Sequence, residues 1–494
     1  MSGHGGILRR KAYNVYNRMP YEARSRISGL ARFAPPTLVF GREYARTLSL
    51  VRRTERLSSE EMGTLVRGRL EDILILSLAT PWYGTRMSAA GIGRPEIMKD
   101  PEGVLASMDF VEKADMNGNE AEFLSVLSTR TPRDHTSTGG TSGEPFYFFM
   151  DSSRSAVEWA YFTDMWGRAG YTPYSRRASF RGSRIHPRGF EDDWITRERR
   201  FSSFNLTHDY LDRMWPRLED YSPEFIYAYP STAMDLCKYM AATGRLLPQS
   251  VKGFLLGSEN IYDGQREYID EVSGLRATLW YGHSEKLVLA GECEKSSLYH
   301  AYPLYGHAEF ITESGQPAKP GEFAEIVGTG FINTVMPFVR YRTGDWCTYV
   351  GDRCPHCGRN FHVFKDVRGR WTQEVLFGAE GNRICMSAVN VHSDSFKRVF
   401  RYQFHQDKPG RAELRIMPRP GFTDREERAI LSEFNKKLGG SVVVSARRVD
   451  DIPLTDRGKY RFIDQRLDDA AATAGKAANM AQAGPRDSDS ARER

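Results

Sequence analysis

Between about residue 80 and residue 290, short apolar runs typical of strands alternate with stretches of helical periodicity. The runs FIYAYP (225–230) and GFLLG (253–257) are typical of strands, and TAMDLCKYMAATG (232–244) between them is typical of a helix. Strands that alternate with helices pair in parallel, because each crossover helix returns the chain to the same end of the sheet. The sequence therefore predicts an α/β fold whose large N-terminal domain has mostly parallel sheets.

The pattern changes on both sides of this region. Residues 7–80 are predicted to be mostly helical, whereas residues 300–350 carry short alternating runs that indicate a small antiparallel subdomain. Residues 384–465 combine strand-like runs with the helical stretch DREERAILSEFNKKLG, which predicts a small α+β C-terminal domain. Because the segment KDVRGRWTQE (365–374) is charged and irregular, we expect domains at 1–368 and 369–466. A disordered tail rich in Ala, Asp and Arg follows at 467–494.

Size and composition exclude several classes of protein. A chain of 494 residues is too long for one compact core, so two or more domains are expected. No apolar run approaches the ~20 residues that span a bilayer, and the most apolar stretch, 72–84, is short and contains a proline. The N-terminus lacks the apolar segment of a secretory signal. These features predict a cytoplasmic protein with no stable membrane insertion.

The formal net charge is +6, and basic residues concentrate near the N-terminus. Such a concentration is compatible with contact to nucleic acid or to an anionic membrane surface. Tyr, Leu and Ile recur between the charges at near-helical spacing, which favours a solvated helix face instead. No nucleic-acid-binding module is recognisable in the sequence, so no nucleic-acid partner is expected.

Residues 135–145, HTSTGGTSGEP, are rich in glycine and hydroxyl side chains, and the strand-like run FYFFM follows them. Such a loop presents backbone N–H groups and hydroxyls to phosphate oxygens, and its glycines let the backbone come close. It is not a Walker A loop, because Glu144 and Pro145 stand where that motif has Lys and then Ser or Thr. A Ser- and Gly-rich surface loop is the alternative interpretation.

The six cysteines of this chain include one CxxC pair, Cys354 and Cys357 in CPHCG. A CxxC with a following glycine is typical of a zinc knuckle, and Cys293 with His300 would complete a Cys3His tetrahedral set. His307 and His356 are alternative fourth ligands, and a redox pair or buried thiols are alternatives to zinc. The other cysteines, in apolar or strand-like stretches, are predicted to be core residues: Cys237, Cys347 and Cys385.

Three later segments follow the glycine-rich loop: WYGHSE (280–285), YRTGDW (341–346) and LTDRGKYR (454–461). In this order and at about these separations, the four segments resemble the signature motifs of the adenylate-forming superfamily, which includes acyl-CoA synthetases, luciferases and peptide-synthetase adenylation domains. The run WYGHSEKLVLAGECE, the Cys/His set and the opening YNRMPYEAR resemble its phenylacetate–CoA ligase branch, and within it the CapK-type relatives of capsular-polysaccharide loci. The resemblance covers about residues 10–465.

The resemblance implies a nucleotide site. Tyr281 would stack on adenine, Asp345 would bind the ribose hydroxyls as a bidentate acceptor, and Arg370 would reach the ribose or a phosphate. Gly282 and His283 belong to the same motif as Tyr281. The loop expected to hold the β- and γ-phosphates of ATP consists of Thr136, Ser137, Thr138, Gly139, Gly140, Thr141, Ser142 and Gly143. The segment expected to flank adenine consists of Gly257, Ser258 and Glu259.

The resemblance also implies the catalytic groups. Glu285 matches the glutamate that binds Mg²⁺, and Ser284 occupies the position of a threonine near the α-phosphate. Lys459 matches the mobile lysine that bridges the carboxylate and the α-phosphate. Two departures stand out. Glu144 replaces a lysine common in relatives, and Trp371-Thr372-Gln373-Glu374 replaces the usual acidic pair after the hinge arginine, which leaves the hinge position open.

The implied activity is ATP-dependent activation of a small carboxylic acid to acyl-AMP and pyrophosphate, in a large domain followed by a small mobile one. The acyl group would then pass to a thiol, either coenzyme A or a carrier-protein phosphopantetheine. Tyr229, in IYAYPSTA (226–233), is the first choice for the acyl pocket, with a core aromatic as the alternative. Two other functions stay open: transfer to a non-thiol acceptor such as a sugar amine, and a non-catalytic zinc-stabilised scaffold. A homodimer is compatible with the sequence.

Overall fold

A computed structural model of the chain describes residues 19, 39–137, 146–181, 189–193, 196–203, 206, 208–262, 264–369, 375–379, 383–385, 396, 398–438, 440–454 and 460–467. These residues form two compact units. The larger unit takes the described residues of Met1–Ile261 and Gln265–Arg370. The smaller unit takes those of Tyr262–Gly264, Trp371–Thr455 and Tyr460–Arg494.

The described part of the larger unit begins with helices, as the sequence predicts. They are α1 (Arg42–Thr54), α2 (Ser59–Ser77), α3 (Pro81–Ala89), α4 (Arg94–Lys99), α5 (Pro101–Ser107) and α6 (Lys113–Met116). A capping box starts α2, because the Ser58 hydroxyl accepts from the Glu61 N–H and the Glu61 carboxylate accepts from the Ser58 N–H. The most apolar stretch of the chain lies in α2 and α3, where Ile73 and Leu74 are buried. Among the described helices, none has the length and apolar character to cross a bilayer.

A two-stranded hairpin follows, made of β1 (Arg133–Ser137) and β2 (Tyr147–Asp151). The run predicted as a strand after the glycine-rich loop is therefore a strand. Helix α7 (Arg154–Gly167) then leads into the main sheet. The parallel strands are β3 (Arg177–Phe180), β5 (Glu198–Phe201), β6 (Phe225–Ala228), β7 (Gly253–Gly257) and β8 (Ala277–Gly282). Helices α8 (His208–Tyr221), α9 (Pro230–Thr243) and α10 (Gln265–Ser273) separate them, so the predicted parallel sheet is confirmed.

Antiparallel strands extend the same sheet beyond β8. They are β9 (Leu289–Glu292), β10 (Tyr299–Ala301), β11 (Gly306–Ile311), β12 (Phe323–Gly330), β13 (Tyr341–Gly351) and β14 (Val363–Arg368). With the edge strand β4 (Phe190–Asp193), the order is β11-β12-β13-β14-β10-β9-β8-β7-β6-β3-β5-β4. The antiparallel strands predicted over 300–350 are thus present, and their hydrogen bonds join them to the parallel strands in one twelve-stranded sheet.

Two apolar clusters cover the two faces of the parallel strands. Along β7, Leu256 belongs to one cluster and Leu255 to the other, as the alternation of side chains along a strand requires. The same alternation in β8 directs Tyr281 to the first cluster and Trp280 to the second, which also contains Trp166 of α7. The neighbouring residues Trp280 and Tyr281 of the WYGHSE motif therefore lie on opposite faces of the sheet.

The smaller unit contains a hairpin, a four-stranded sheet and one long helix. The hairpin is β15 (Val375–Phe377) with β16 (Arg383–Cys385). The sheet has the order β19-β18-β17-β20, from β17 (Val399–Lys408), β18 (Arg411–Pro418), β19 (Val443–Arg448) and β20 (Ile463–Gln465). Helix α11 (Asp424–Leu438) packs Ile430 and Phe434 against Phe404 and Leu414. This β-rich α+β unit agrees with the sequence prediction.

Candidate functional site

The carboxyl ends of β3, β6, β7 and β8 meet at one edge of the parallel sheet, and polar residues follow each of them. Arg181 follows β3, Tyr229 follows β6, Ser258 and Glu259 follow β7, and His283 follows β8. Ligands of open α/β sheets bind at this edge, because helix N-termini and loops converge there. Three of the segments singled out in the sequence therefore lie on neighbouring strands.

Tyr281 and Asp345 are joined directly. The Tyr281 hydroxyl donates a hydrogen bond of 2.9 Å to Oδ2 of Asp345. Burial first, and then the charge of Asp345, raises the pKa of the Tyr281 hydroxyl well above its ordinary value. The phenol therefore stays protonated and remains a donor. The residues predicted to contact adenine and ribose are brought together by this contact.

The backbone around Asp345 is held by its own motif. The Thr343 hydroxyl donates to the Ile326 carbonyl (2.6 Å) and accepts from the Asp345 N–H (3.1 Å). Gly344 has φ of 72°, a left-handed conformation that favours glycine, and its N–H donates to Glu325 (3.1 Å). The Thr-Gly-Asp order therefore provides a turn that fixes where the aspartate points.

Asn260 holds the chain immediately after β14. Its Oδ1 accepts from the Gly369 N–H at 2.8 Å, and its Nδ2 donates to the Gly369 carbonyl at 3.3 Å. A Cβ at position 369 would come within 3.1 Å of Asn260 Oδ1 and 3.3 Å of Asp345 Oδ1. Gly369 thus lets the segment preceding Arg370 approach the Asp345 carboxylate closely.

Glu285 is buried, with 7% of its surface exposed, and its partner is the imidazole of His283. His283 Nδ1 lies 3.2 Å from Glu285 Oε2, and His283 Nε2 accepts from the Val288 N–H at 3.3 Å. Because a nitrogen that accepts from a backbone N–H carries no proton, the neutral imidazole has its proton on Nδ1 and donates to Glu285. The carboxylate is therefore oriented by a neutral group.

Lys286 follows Glu285 in the sequence, but its ammonium is directed to another carboxylate. The Lys286 ammonium pairs with Glu158 of α7 instead. Lys286 has φ of 61°, an uncommon value for a residue with a side chain, and such values concentrate at functional sites. Ser284 lies half-buried in the turn between His283 and Glu285.

The segment predicted to flank adenine has distinct contacts at each residue. Gly257 lies against Trp280, because a Cβ there would come within 2.5 Å of the indole nitrogen. Ser258, with φ of 67°, accepts a hydrogen bond of 2.5 Å from Arg181. The Glu259 carboxylate accepts from the Ser231 N–H (3.2 Å) in the first turn of α9, where a negative charge suits the helix dipole.

Several predicted residues lie at the margin of the described chain or outside it. Thr136 and Ser137 are the last residues of β1, paired with Phe148 and Tyr147 of β2. The rest of the phosphate loop lies outside the described residues, as do the hinge arginine and the mobile lysine: Thr138, Gly139, Gly140, Thr141, Ser142, Gly143, Arg370 and Lys459.

The predicted zinc ligands converge. One ligand atom each from Cys293, His300, Cys354 and Cys357 lies within 4.8 Å of the others. Cys293 follows β9 and His300 lies in β10, while the CxxC turn lies between β13 and β14. The alternative ligands His307 and His356 are not in this group of described residues.

The CxxC turn has the hydrogen bonds of a knuckle. The Gly358 N–H donates to the Cys354 carbonyl and the Cys354 N–H donates to the Arg359 carbonyl, each at 2.9 Å. Gly358 has φ of 78°, which glycine adopts without strain. Both thiols are therefore held on one side of the same turn.

Charged groups surround the cluster. Arg359 forms ion pairs with Glu55 (3.0 Å) and Glu294 (2.8 Å), and Arg168 contacts His300 Nδ1 at 3.2 Å. Burial first, and then the positive charges of Arg168 and Arg359, lowers the pKa of His300 to about 3. The imidazole is therefore neutral at ordinary pH, the form that a metal ligand needs.

Comparisons of the sequence match two parts of this chain to known proteins. Residues 376–466 match the family described as the CapK C-terminal domain. A phenylacetate-coenzyme A ligase of Thermus thermophilus is 24% identical over 358 residues, which cover 70% of this chain and 76% of the relative. These matches confirm the resemblance to the adenylate-forming superfamily that the sequence predicts. The domain match and this homologue agree with the predicted similarity to the phenylacetate–CoA ligase branch and its CapK-type relatives.

Two solved structures of one ligase share the fold of this chain. A 2-hydroxyisobutyryl-CoA ligase in the postadenylation state, in complex with 2-HIB-AMP, has a TM-score of 0.65 and 16% identity. The match covers 87% of this chain and 94% of the ligase. The same ligase with 2-HIB-AMP and CoA in the thioesterification state has a TM-score of 0.53, with 17% identity and coverage of 86% and 94%.

Three residues at this site were not singled out from the adenylate-forming motifs: Arg181, Asn260 and Trp280. Arg181 and Asn260 come directly after strand-like runs of an alternating α/β pattern, which is where site residues are expected. Trp280 was quoted within a motif, but the alternation along β8 decides that it faces away from Tyr281.

Proposed function

We propose that the protein is an ATP-dependent carboxylate–coenzyme A ligase that proceeds through an acyl-adenylate. The observation that carries the proposal is the hydrogen bond between Tyr281 and Asp345. It unites two superfamily motifs next to Glu285, at the edge of the parallel sheet where nucleotides bind.

The groups that would bind the nucleoside of ATP are already held in position in the structure without ATP. Asp345 offers a carboxylate to the ribose hydroxyls, and Tyr281 fixes its orientation from the adenine side. Asn260 fixes the backbone at Gly369, beside Asp345. Because these groups are already hydrogen-bonded, little reorganisation is needed on binding.

Glu285 fits a divalent cation, since an anionic oxygen oriented by a neutral histidine suits Mg²⁺. Mg²⁺ bound there would offset charge on the phosphates of ATP. The acid's carboxylate attacks the α-phosphorus, the bond to the bridging oxygen breaks, and pyrophosphate leaves. Lys459 and the Thr136–Gly143 loop are the proposed donors to the phosphates, and Ser284 is the proposed hydroxyl near the α-phosphate.

Coenzyme A is the proposed acceptor. The homologue is a phenylacetate-coenzyme A ligase, and the structural neighbour binds both 2-HIB-AMP and CoA. The acyl group would pass from AMP to the thiol sulfur with release of AMP. Tyr229, which is 5% exposed and precedes α9, is the proposed wall of the acyl pocket.

The Cys293–His300–Cys354–Cys357 cluster fits structural zinc. Three thiols and a neutral imidazole are the ligand types zinc prefers, and ligands ~2.3 Å from one ion lie about 3.7 Å apart. Atoms within 4.8 Å of one another therefore need to contract by only about 1 Å. All four positions would be filled by protein, so the metal would support the fold and take no part in catalysis.

Pyrophosphate release over a panel of carboxylic acids, with and without coenzyme A, tests the proposal. We expect acid-dependent release with Mg²⁺ and ATP, and thioester only when coenzyme A is present. The matched variant Glu285→Gln keeps the shape of the side chain and should lose most of the release. The proposed function would be overturned if orthophosphate were released in place of pyrophosphate, or if thioester formed without ATP.

A further inference from the structure

Arg181 lies at the carboxyl end of β3, among hydroxyls and aromatic rings. Its guanidinium donates to the Tyr227 hydroxyl and, at 2.5 Å, to the Ser258 hydroxyl. It stands 4.4 Å from the ring centre of Tyr227, 4.8 Å from that of Tyr229 and 5.6 Å from that of Trp280. The charge is therefore held in the wall that Tyr229 contributes to the proposed acyl pocket.

A second arginine of the same strand shows what a structural role looks like. Arg177 lies four residues earlier, on the same face of β3, and its guanidinium is 3.6 Å from the Glu198 carboxylate and 2.9 Å from the Tyr171 hydroxyl. Its charge is thus compensated inside the protein. Among the described residues, Arg181 has no carboxylate within ion-pair distance, and the charges of Glu198 and Glu259 act on it only from farther away.

Burial lowers the pKa of the Arg181 guanidinium, whose ordinary value is so high that the group stays charged. Part of the Arg181 surface is exposed at this edge of the sheet, and no described carboxylate lies within ion-pair distance, so the guanidinium can bind an anion there. The orientation is already set, since the Tyr227 and Ser258 hydroxyls accept two of its hydrogen bonds.

The indole of Trp280 points to the same missing partner. Its Nε1–H is buried, and among the described residues it has no acceptor. Gly257 leaves room for this nitrogen against the backbone of β7, next to Ser258. Arginine and tryptophan side chains only donate hydrogen bonds, so what would satisfy both is an acceptor from outside the described chain.

We propose that Arg181 is a specificity-determining residue that binds a second carboxylate of the acid substrate, which makes small dicarboxylic acids the substrate class. This inference rests on the proposed ligase function, and it concerns the end of the substrate remote from the carboxyl group that reacts. The rings of Tyr227, Tyr229 and Trp280 restrict the space around the guanidinium, so the acid is small. Two parallel hydrogen bonds from the guanidinium suit a carboxylate.

An ATP phosphate is the rival anion. Phosphates are expected near the Thr136–Gly143 loop and Glu285, whereas the contacts of Arg181 are Tyr227 of β6, Tyr229 after it, Ser258 and Trp280. Trp280 also faces away from Tyr281, the residue proposed to contact adenine. These contacts favour the acid over the nucleotide.

The test compares acids that differ by one carboxylate: butanoate with succinate, pentanoate with glutarate, and benzoate with isophthalate. For the wild-type protein, we expect kcat/KM for pyrophosphate release to be higher for one or more of the diacids than for their partners. Arg181→Met should raise KM for the preferred diacid about 10- to 150-fold, which is the range expected for a lost charge-assisted hydrogen bond. KM for the matching monoacid should change less than about threefold. Arg181→Lys should recover part of the loss.

Two measurements separate this role from a structural one. Arg181→Met removes a charge that has no close counter-ion, so Tm should stay unchanged or rise. Arg177→Met, the matched variant in β3, should lower Tm. It should leave the ratio of kcat/KM for the diacid to kcat/KM for the monoacid unchanged. Calorimetry of the same diacids should show binding to the wild type that Arg181→Met loses.

The other outcomes distinguish failure of this inference from failure of the ligase proposal. A wild-type preference for the monoacids would overturn it and leave the ligase proposal standing. An effect of Arg181→Met confined to KM for ATP would assign the residue to the nucleotide. Absence of pyrophosphate release with every acid would overturn the ligase proposal. In that case, calorimetry would still decide on the diacid site: binding that depends on Arg181 would support it, and absence of binding would overturn it.

Discussion

The hydroxyl of Tyr281 donates a hydrogen bond of 2.9 Å to the carboxylate of Asp345, across 64 residues of sequence. Tyr281 lies near the end of the parallel strand β8, and Asp345 lies in β13 of the antiparallel extension, with three strands between them in the sheet order. The sheet thereby builds the proposed nucleoside site from motifs that are far apart in the chain.

Replacing Tyr281 with Phe tests this contact. The variant keeps the ring and removes the donor that orients Asp345. Hydrogen bonds to charged groups contribute ~1.5–3 kcal/mol, so KM for ATP should rise about tenfold or more, with little change in KM for the acid. Steady-state kinetics with each substrate varied in turn measure this, and an equal rise in both KM values would assign Tyr281 a general structural role.

Asp345→Ala should weaken ATP use more than the loss of the tyrosine hydroxyl does, because the proposed ligand of both ribose hydroxyls disappears. Asp345→Asn is the matched control: it keeps the shape and one acceptor, and should lie between the wild type and the alanine variant. Far-UV circular dichroism checks that the fold is intact. An unchanged KM for ATP in Asp345→Ala would contradict the nucleotide assignment.

The sequence predicts much of this arrangement and misses one part for a physical reason. The alternation of strands and helices predicts the parallel strands, and ligand chemistry with spacing predicts that Cys293, His300 and the CxxC pair converge. Arg181 is missed because an arginine after a strand is common on protein surfaces. Its distinguishing feature is that, unlike Arg177, it has no carboxylate partner among the described residues, and pairing depends on tertiary structure.

The continuity of the sheet is a second feature that local pattern does not contain. Short alternating runs over 300–350 predict antiparallel strands, but local pattern does not reveal which strand they pair with. The pairing of β10 with both β9 and β14 connects them to the parallel strands. The alternation of side chains along β8 places Trp280 and Tyr281 on opposite faces of the sheet. The motif reveals this only once the strand is known.

The purified protein should carry about one zinc per chain. Cys354→Ser should lose the zinc and lower Tm, because a closed four-ligand site contributes to folding. The matched control is Cys237→Ser, a buried cysteine outside the cluster, which should keep the zinc. Elemental analysis of the three proteins decides the matter, and a well-folded wild type without metal would contradict the site.

Buried cysteines outside the cluster should resist alkylation. Burial raises the pKa of the Cys237 thiol to about 12, so at pH 8 only about one molecule in 10⁴ carries the reactive thiolate. Treatment of the native protein with iodoacetamide, followed by mass spectrometry, should leave Cys237 unmodified at pH 8 and label it after unfolding. Rapid labelling of the native protein would show that its surroundings open readily.

The most direct test of the central claim is the acid-dependent exchange of labelled pyrophosphate into ATP. It requires reversible formation of an acyl-adenylate and no acceptor. We expect exchange by the wild type only with an acid and Mg²⁺, and a loss of roughly 10²–10³-fold in Lys459→Ala, which removes a proposed donor to the α-phosphate. That variant should still convert a supplied acyl-adenylate to thioester. Absence of exchange by the wild type across the whole panel of acids would contradict the account.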